Sequence, residues 1–495
     1  MATPIIKMVT MKRSGDLRKP SCTRSDRVLI ETEETMCGIG LAVFRQLCAA
    51  ASACLIVVAC GTSFGWIAPT LVKLRSEDSE IPMSSAEASW MIAIIEVGNL
   101  FSPIPAGLIV DKMGRKPLSL ITGPLYLISW LIILRIKTVA ALCFARIVQG
   151  LALGIVFTVV PMYLGEIASQ HVRGAITSLF QIAFYLGFLF EYIIGPFVSY
   201  DALVIITLCL PIAFVALFFW QPESPYYYII RGREDEAESS LMWLRGTSNV
   251  EDIKEELMDI TQTVQKEMSN KASIADVIAT PTDRKALLIV QVVGGVKILS
   301  GLPAIVSYST ELFQRTGFTM IPPYVMTIIM GSVLFISGFF STALTDLAGR
   351  RPLLIISTAG CAFSLGLISL FFFFFDKTDY DLSNYSWVSP ACIILYNLFL
   401  AFGLDPVSMT YRSEMFPANT RAVASSINTI NFTIGAFITL KLYQIVADGI
   451  GVYFIFLIFS LTCWFGLVWM YFYAIETKNK SLSEIQQALS KSTQS

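Results

Sequence analysis

Twelve apolar stretches, each long enough to cross a bilayer as a helix, constrain this chain more than any other feature. They occupy residues 46–72, 88–110, 118–136, 139–163, 174–198 and 201–220. After a polar interval come 286–312, 322–346, 351–375, 388–411, 422–446 and 450–474. A helix needs about 20 apolar residues to cross ~30 Å of hydrocarbon, and it satisfies its own backbone groups there. The stretches therefore predict an all-α membrane protein of twelve transmembrane helices. Only 15% of residues are charged, against roughly 25% in a soluble domain. The grouping into six, a linker and six predicts a tail (1–45), a six-helix half (46–221), a linker with short helices (222–285), a second half (286–474) and a tail (475–495).

An even number of crossings puts both ends on one side. The tails, the linker and the loops after helices 2, 4, 8 and 10 carry 27 of the 36 Lys and Arg residues. The opposite loops carry six: Lys73, Arg75, Arg135, Lys137, Arg315 and Lys377. The remaining three, Arg146, Lys297 and Lys441, fall within spans. Short loops carry the positive-inside signal, and eight basic residues at 111–117, 173, 350–351, 412 and 421 agree. Both termini are expected to be cytosolic. Asn384-Tyr385-Ser386 is a glycosylation acceptor that this topology puts outside. The first 40 residues include Lys12, Arg13, Arg18, Lys19, Arg24 and Arg27 and lack the apolar core of a cleaved signal peptide.

Charge and motifs exclude several function classes. A net charge of −1 gives no basic field for nucleic acid. The ten cysteines form no C-x-x-C, and His171 is the sole histidine, so neither a metal nor another cofactor is expected. Gly38-Ile39-Gly40 and Gly294-Gly295 follow no strand and are not nucleotide loops. No residue pattern suggests an enzyme.

The two halves repeat one another. Asp111, Gly114, Arg115 and Pro117 recur 235 residues on as Asp346, Gly349, Arg350 and Pro352. Tyr163, Glu166 and Arg173 recur 248 residues on as Tyr411, Glu414 and Arg421, and Glu223 recurs at an offset of 253 as Glu476. Parallel repeats of this kind place a solute site between the halves near mid-membrane. Each half also sets cations (Arg115 and Lys116; Arg350 and Arg351) on a Gly turn near acids at helix ends. This predicts a cytosolic salt-bridge network that biases a conformational equilibrium, with a topology signal and static anchoring of the helix ends as the alternative. Its members are Asp111, Arg115, Arg146, Glu166, Arg173, Glu223, Asp346, Arg350, Arg351, Glu414, Arg421 and Glu476.

These motifs resemble the sugar-porter branch of the major facilitator superfamily. The likeness rests on Asp111-Lys112-Met113-Gly114-Arg115-Lys116, on Arg146, and on Pro161-Met162-Tyr163-Leu164-Gly165-Glu166. It extends to Pro222-Glu223-Ser224-Pro225 and Glu476-Thr477-Lys478. It is nearest to insect facilitated trehalose-type and mammalian facilitative glucose transporters. The resemblance implies the major facilitator fold, alternating access to a sugar (trehalose or hexose), monomeric function and a plasma-membrane location. The first helix, Ala59-Cys60-Gly61-Thr62-Ser63-Phe64-Gly65-Trp66, lacks the acid of proton-coupled relatives, which favours a uniporter. Glu96 keeps proton coupling open.

The expected substrate contacts are Gln181, Lys297, Tyr308 and Asn431. Helix 7 departs from the family pattern Gln-Gln-x-Ser-Gly-x-Asn and reads Lys297-Ile298-Leu299-Ser300-Gly301-Leu302-Pro303. Leu334 and Met409 stand where the family has Asn and Trp. Lys297 lies about 11 residues into its span, roughly 16 Å deep, and Glu96 about 8 residues into its own, roughly 12 Å. A charge at that depth is costly and needs a partner. Lys297 either receives an anionic or zwitterionic solute, pairs with an acid such as Glu96 or Asp405, or snorkels. Two alternatives stand beside sugar transport: transport of a charged organic solute through Lys297, and a non-transporting nutrient sensor.

Overall fold

Each apolar stretch becomes a helix, and the helices are interrupted where proline, glycine or a buried charge demands it. The computed structural model describes residues 24–76, 79–269, 277–379, 382–416, 418–480 and 482–491. The basic residues Lys12, Arg13, Arg18 and Lys19 lie outside them. The first half comprises α1 (Gly40–Leu74), α2 (Ser85–Phe101 continued by Pro103–Met113), α3 (Arg115–Arg135), α4 (Val139–Ile167), α5 (Arg173–Phe197) and α6 (Tyr200–Phe218). The second comprises α7 (Pro281–Ser307), α8 (Pro323–Ala348), α9 (Arg350–Lys377), α10 (Val388–Glu414), α11 (Ala418–Gly449) and α12 (Val452–Tyr473). With the two bent segments of α2 taken as one span, twelve helices among the described residues are long and apolar enough to cross a membrane.

Local chemistry sets the helix ends. Ser84 and Glu87 form a reciprocal capping box at the start of α2. Thr138, Ser199 and Thr280 each accept a hydrogen bond from a first-turn backbone N–H of α4, α6 and α7. Interruptions inside spans are fewer and local. Pro103 follows a 45° bend in α2. Gly301, at φ 94°, breaks α7 one residue before Leu302-Pro303 restarts it. In α10 the residues Leu400–Leu404 form a π-helical turn immediately before Asp405.

The halves meet chiefly where α5 packs on α8 and α2 packs on α11. Small residues allow close approach within each half, as between Gly98 and Gly150 or Gly61 and Gly187. Among the described residues the linker contributes three α-helices, Pro225–Ile230, Glu234–Arg245 and Lys254–Ser269. Leu241, Ile253, Ile260 and Val264 give them a small core of their own. They anchor to the first half: Arg45 Nη1 donates to the Trp243 carbonyl at 3.0 Å and Arg245 Nη1 to the Ile167 carbonyl at 3.1 Å.

Candidate solute site between the halves

The break in α7 and the π turn in α10 bring two buried charges together. Lys297, one turn before the break, forms an ion pair with Asp405, the first residue after the π turn. Both are about 97% buried, at 4% and 3% exposure. Of the partners the sequence allows, Asp405 is the one that pairs. The ammonium also lies 5.4 Å from the Phe432 ring of α11. The pair is neutral overall, so Lys297 offers a solute no uncompensated charge.

The same carboxylate crosses to the other half. Asp405 Oδ2 accepts hydrogen bonds from the Tyr185 hydroxyl and, at 3.2 Å, from Gln181 Nε2, both on α5. One acid from the second half is thus held between the halves by two donors from the first. Close by, the Ser300 and Tyr396 hydroxyls share a hydrogen bond of 2.8 Å. Asn431 Nδ2 donates to Gln291 Oε1 at 2.7 Å. Lys297 and Asp405 are sealed, whereas Gln181 is half-buried and Asn431 exposed.

At the end of the bundle away from the linker, the outer end in the expected topology, the halves are closed. Arg75, at the end of α1, pairs with Glu311 beyond α7 at 3.0 Å, and Glu311 also accepts from Arg315 at 2.7 Å. Lys441 Nζ donates to Ser89 Oγ at 2.7 Å and sits 4.2 Å from the Trp90 ring, joining α11 to α2. Below them the Tyr192 hydroxyl donates to the Val306 carbonyl at 2.9 Å. Tyr308 does not reach the mid-membrane polar cluster: it is 1% exposed and stacks on Tyr443 at 4.5 Å, as part of this outer seal. Glu96 has a separate role. Asn99 Nδ2 donates to Glu96 Oε2 at 2.9 Å and to Thr433 Oγ1 of α11 at 3.2 Å, a second polar link between halves.

The outer latch carries a prediction. A half-exposed pair is worth ~0.2–1 kcal/mol, but it exists only while the outer face is shut, so its loss acts on the equilibrium between states. In an Arg75→Ala background, a Val306→Cys thiol, at the Tyr192 contact below the latch, should react up to about fivefold faster with an impermeant maleimide applied outside intact cells. An unchanged rate would show that Arg75 does not hold the mouth closed.

At the linker end of the bundle, cytosolic in the expected topology, the repeat recurs in the contacts. In the first half Arg115 pairs with Glu166 at 2.9 Å and Asp111 at 3.1 Å. Glu223 accepts from the backbone of Lys116 at 3.0 Å and of Ser224 at 2.7 Å. In the second half Arg350 pairs with Glu414 at 3.0 Å, and Glu476 accepts from the backbone of Arg350 and Arg351, each at 3.0 Å. The turn glycines Gly114 (φ 100°) and Gly349 (φ 85°) are required twice over. Their backbone is left-handed, and a Cβ would lie 2.3 Å from Glu223 or 2.9 Å from Glu476. Tyr163 and Tyr411 repeat the scheme, donating to the carbonyls of Pro222 at 2.9 Å and Ile475 at 2.6 Å.

The two equivalent acids differ electrostatically. Burial pushes the Glu223 carboxyl above its usual range, outweighing the backbone N–H bonds of Ser224 and Lys116 and the nearby Arg115. Burial also raises Glu476, but backbone donors from Lys478, Arg350, Arg351 and Thr477 together hold it below the usual range.

Among the described residues the network's ion pairs link helices within each half, and the expected members Arg146, Arg173 and Arg351 lie outside those ion pairs. Arg146 is not a member: it is fully buried near the outer end of α4, donating to the Ser63 carbonyl and to Gln149 Oε1 at 3.0 Å. Arg173 is exposed at the first turn of α5 and outside the described ion pairs, and Arg351 uses its guanidinium on the Tyr471 carbonyl at 2.8 Å. The side chains of Asp346 and Arg421 lie outside the described residues. Asn384 is exposed in the short turn before α10.

Sequence reasoning missed Tyr185, Arg75 and Glu311. Tyr185 lies one helical turn from Gln181, a spacing that puts both on one face and could have flagged it.

The comparisons with known proteins agree with this architecture. The family profile described as "Sugar (and other) transporter" matches residues 34–489. The chain is 31% identical to a facilitated trehalose transporter Tret1 of Culex quinquefasciatus over 450 residues, covering 90% of this chain and 86% of that one. It is 30% identical to that of Polypedilum vanderplanki, covering 90% and 88%. For Aedes aegypti the identity is 30% with 90% of this chain but only 55% of the relative covered. The chain spans about half the length of several of the curated relatives it matches. In fold it is similar to the inward-open xylose transporter XylE of E. coli (TM-score 0.72, 18% identity, 89% and 98% covered). It is also similar to the proton:xylose symporter XylE bound to 6-bromo-6-deoxy-D-glucose (TM-score 0.70, 18% identity, 91% and 99% covered).

Proposed function

The chain belongs to the sugar (and other) transporter family, and from that premise we propose that it carries a sugar, trehalose or a hexose, across the membrane by facilitated, alternating access. The observation that carries this reading is the mid-membrane junction of Gln181 and Tyr185 with Asp405. It joins the halves at one polar point, beneath a closed outer face and beside the accessible Gln181 and Asn431. A rocking motion of one half against the other would exchange the outer contacts of Arg75 and Lys441 for cytosolic ones, exposing that point alternately to each side. The cytosolic clusters then keep each half rigid as it moves, because their ion pairs lie within halves. Glu96 is engaged by Asn99 and α1 carries no acid, which supports uniport.

Lys297 enters this reading as the counter-ion of Asp405 and not as a receptor for a charged solute. The charge distribution supports cytosolic termini, and exposed Asn384 on the opposite side supports a glycosylated outer face at the plasma membrane. Uptake into liposomes holding the purified protein tests the function. Labelled trehalose or glucose should enter saturably, exchange by counterflow and bring in no protons. Flux indistinguishable from protein-free liposomes for both sugars would sink the proposal.

A further inference from the structure

We propose that Asp405 is a tethered competitor of the sugar: its carboxylate, fastened by the Tyr185 hydroxyl, occupies the Gln181 amide on α5 that a sugar hydroxyl must use, so binding withdraws this bolt from between the halves. The inference rests on the sugar reading above and deepens it, by naming a residue that sets how tightly the site binds.

Three observations carry it. First, both α5 donors converge on one oxygen. Gln181 Nε2 and the Tyr185 hydroxyl each donate to Asp405 Oδ2, while Lys297 faces Oδ1. A sugar hydroxyl offers the amide of Gln181 the same acceptor chemistry, but without charge. Hydrogen bonds to an ionised acceptor are about twice as strong as neutral ones, so the internal carboxylate wins until a ligand offers several contacts at once. Second, the cluster is sealed. Asp405, Lys297 and Tyr185 are at most 4% exposed, so the oxygen is occupied by protein groups and not by solvent. Third, the backbone is shaped to deliver Asp405. The π turn at Leu400–Leu404 ends on it, and Gly403 within that turn packs so closely on Ser357 of α9 that a Cβ would lie 2.4 Å from its side chain. The extra residue of a π turn rotates the helix beyond it, and in α10 this aims the carboxylate across the interface.

Withdrawal of the bolt is local to the second half, because Lys297 stays with Asp405 and no lone charge is created. The sugar then bridges the halves in its place. Binding is consequently coupled to loss of a fixed inter-half contact, which is the differential interaction a ligand needs to shift a conformational equilibrium.

The test measures binding of trehalose and glucose to the purified full-length protein by titration calorimetry. The three proteins are wild type, Tyr185→Phe, and the uncharged double variant Lys297→Met with Asp405→Leu. Tyr185→Phe keeps the ring that packs beside Phe184 and Phe188 and loses one hydroxyl. It therefore folds even if the double variant does not. The Kd for the sugar bound by wild type should fall about threefold in Tyr185→Phe and about tenfold in the double variant, as expected for removing one or all of the charge-assisted bonds that must break. An unchanged or weaker affinity in Tyr185→Phe, with wild type binding normally, overturns the inference and leaves the sugar reading intact. Absence of sugar binding by all three proteins overturns the sugar reading and the inference with it.

Discussion

Replacing Lys297 with methionine should cost the folded protein about 3–5 kcal/mol, because it leaves the Asp405 carboxylate buried without its cation. Methionine retains most of the apolar stem, so lost packing contributes little. The loss is electrostatic: Tyr185 and Gln181 still donate to Oδ2, but neither neutralises the charge. Restoring neutrality should restore stability. The double variant Lys297→Met with Asp405→Leu is expected within about 1 kcal/mol of wild type, since apolar replacements of a buried pair are often neutral or stabilising. Melting of the detergent-purified proteins, followed by tryptophan fluorescence, measures both. A single variant that melts with wild type would mean that the ion pair contributes nothing to holding α7 and α10 together.

Replacing Gly150 with leucine should prevent the first half from assembling. A Cβ at Gly150 would stand 2.0 Å from the Ile95 carbonyl oxygen and 3.0 Å from the Gly98 Cα, both backbone atoms of α2. Side chains can turn away from an added methyl, whereas a helix backbone has to move as a body. Overpacking a core costs ~1–3 kcal/mol, and more where the obstacle is main chain. Helices in lipid lack a hydrophobic drive toward one another and depend on this close fit. Gly107 is the control: it lies exposed on α2 with nothing within 4 Å of an added Cβ. Gly107→Leu should give a monodisperse gel-filtration peak at wild-type yield and Gly150→Leu an aggregate; equal peaks would refute the contact.

The residues that were legible in advance were those whose signal is local or repeated along the chain. Twelve apolar runs demanded helices because lipid offers backbone groups no partner. Arg115 with Glu166, and Arg350 with Glu414, stood out because duplication wrote the same spacing twice. Lys297 was conspicuous because a cation in an apolar run is expensive. Arg146 misled: its place in the motif set suggested the cytosolic network, yet it lies near the start of α4, at the end of the bundle away from that network, against Ser63.

By itself, then, the amino-acid order determined the helices, the two-fold repeat and the need for Lys297 to have a partner, because each arises from transfer energies and periodicity along one segment. Only the tertiary structure decided that the partner is Asp405 and not Glu96. It alone put Tyr185 and Gln181 of the other half on the same carboxylate, turned Tyr308 into part of an outer seal and joined Arg75 to Glu311. Those contacts join residues up to 236 positions apart. They depend on a glycine break, a π turn and helix rotations of a few tens of degrees, which shift a side chain from one neighbour to the next without leaving a trace in hydropathy.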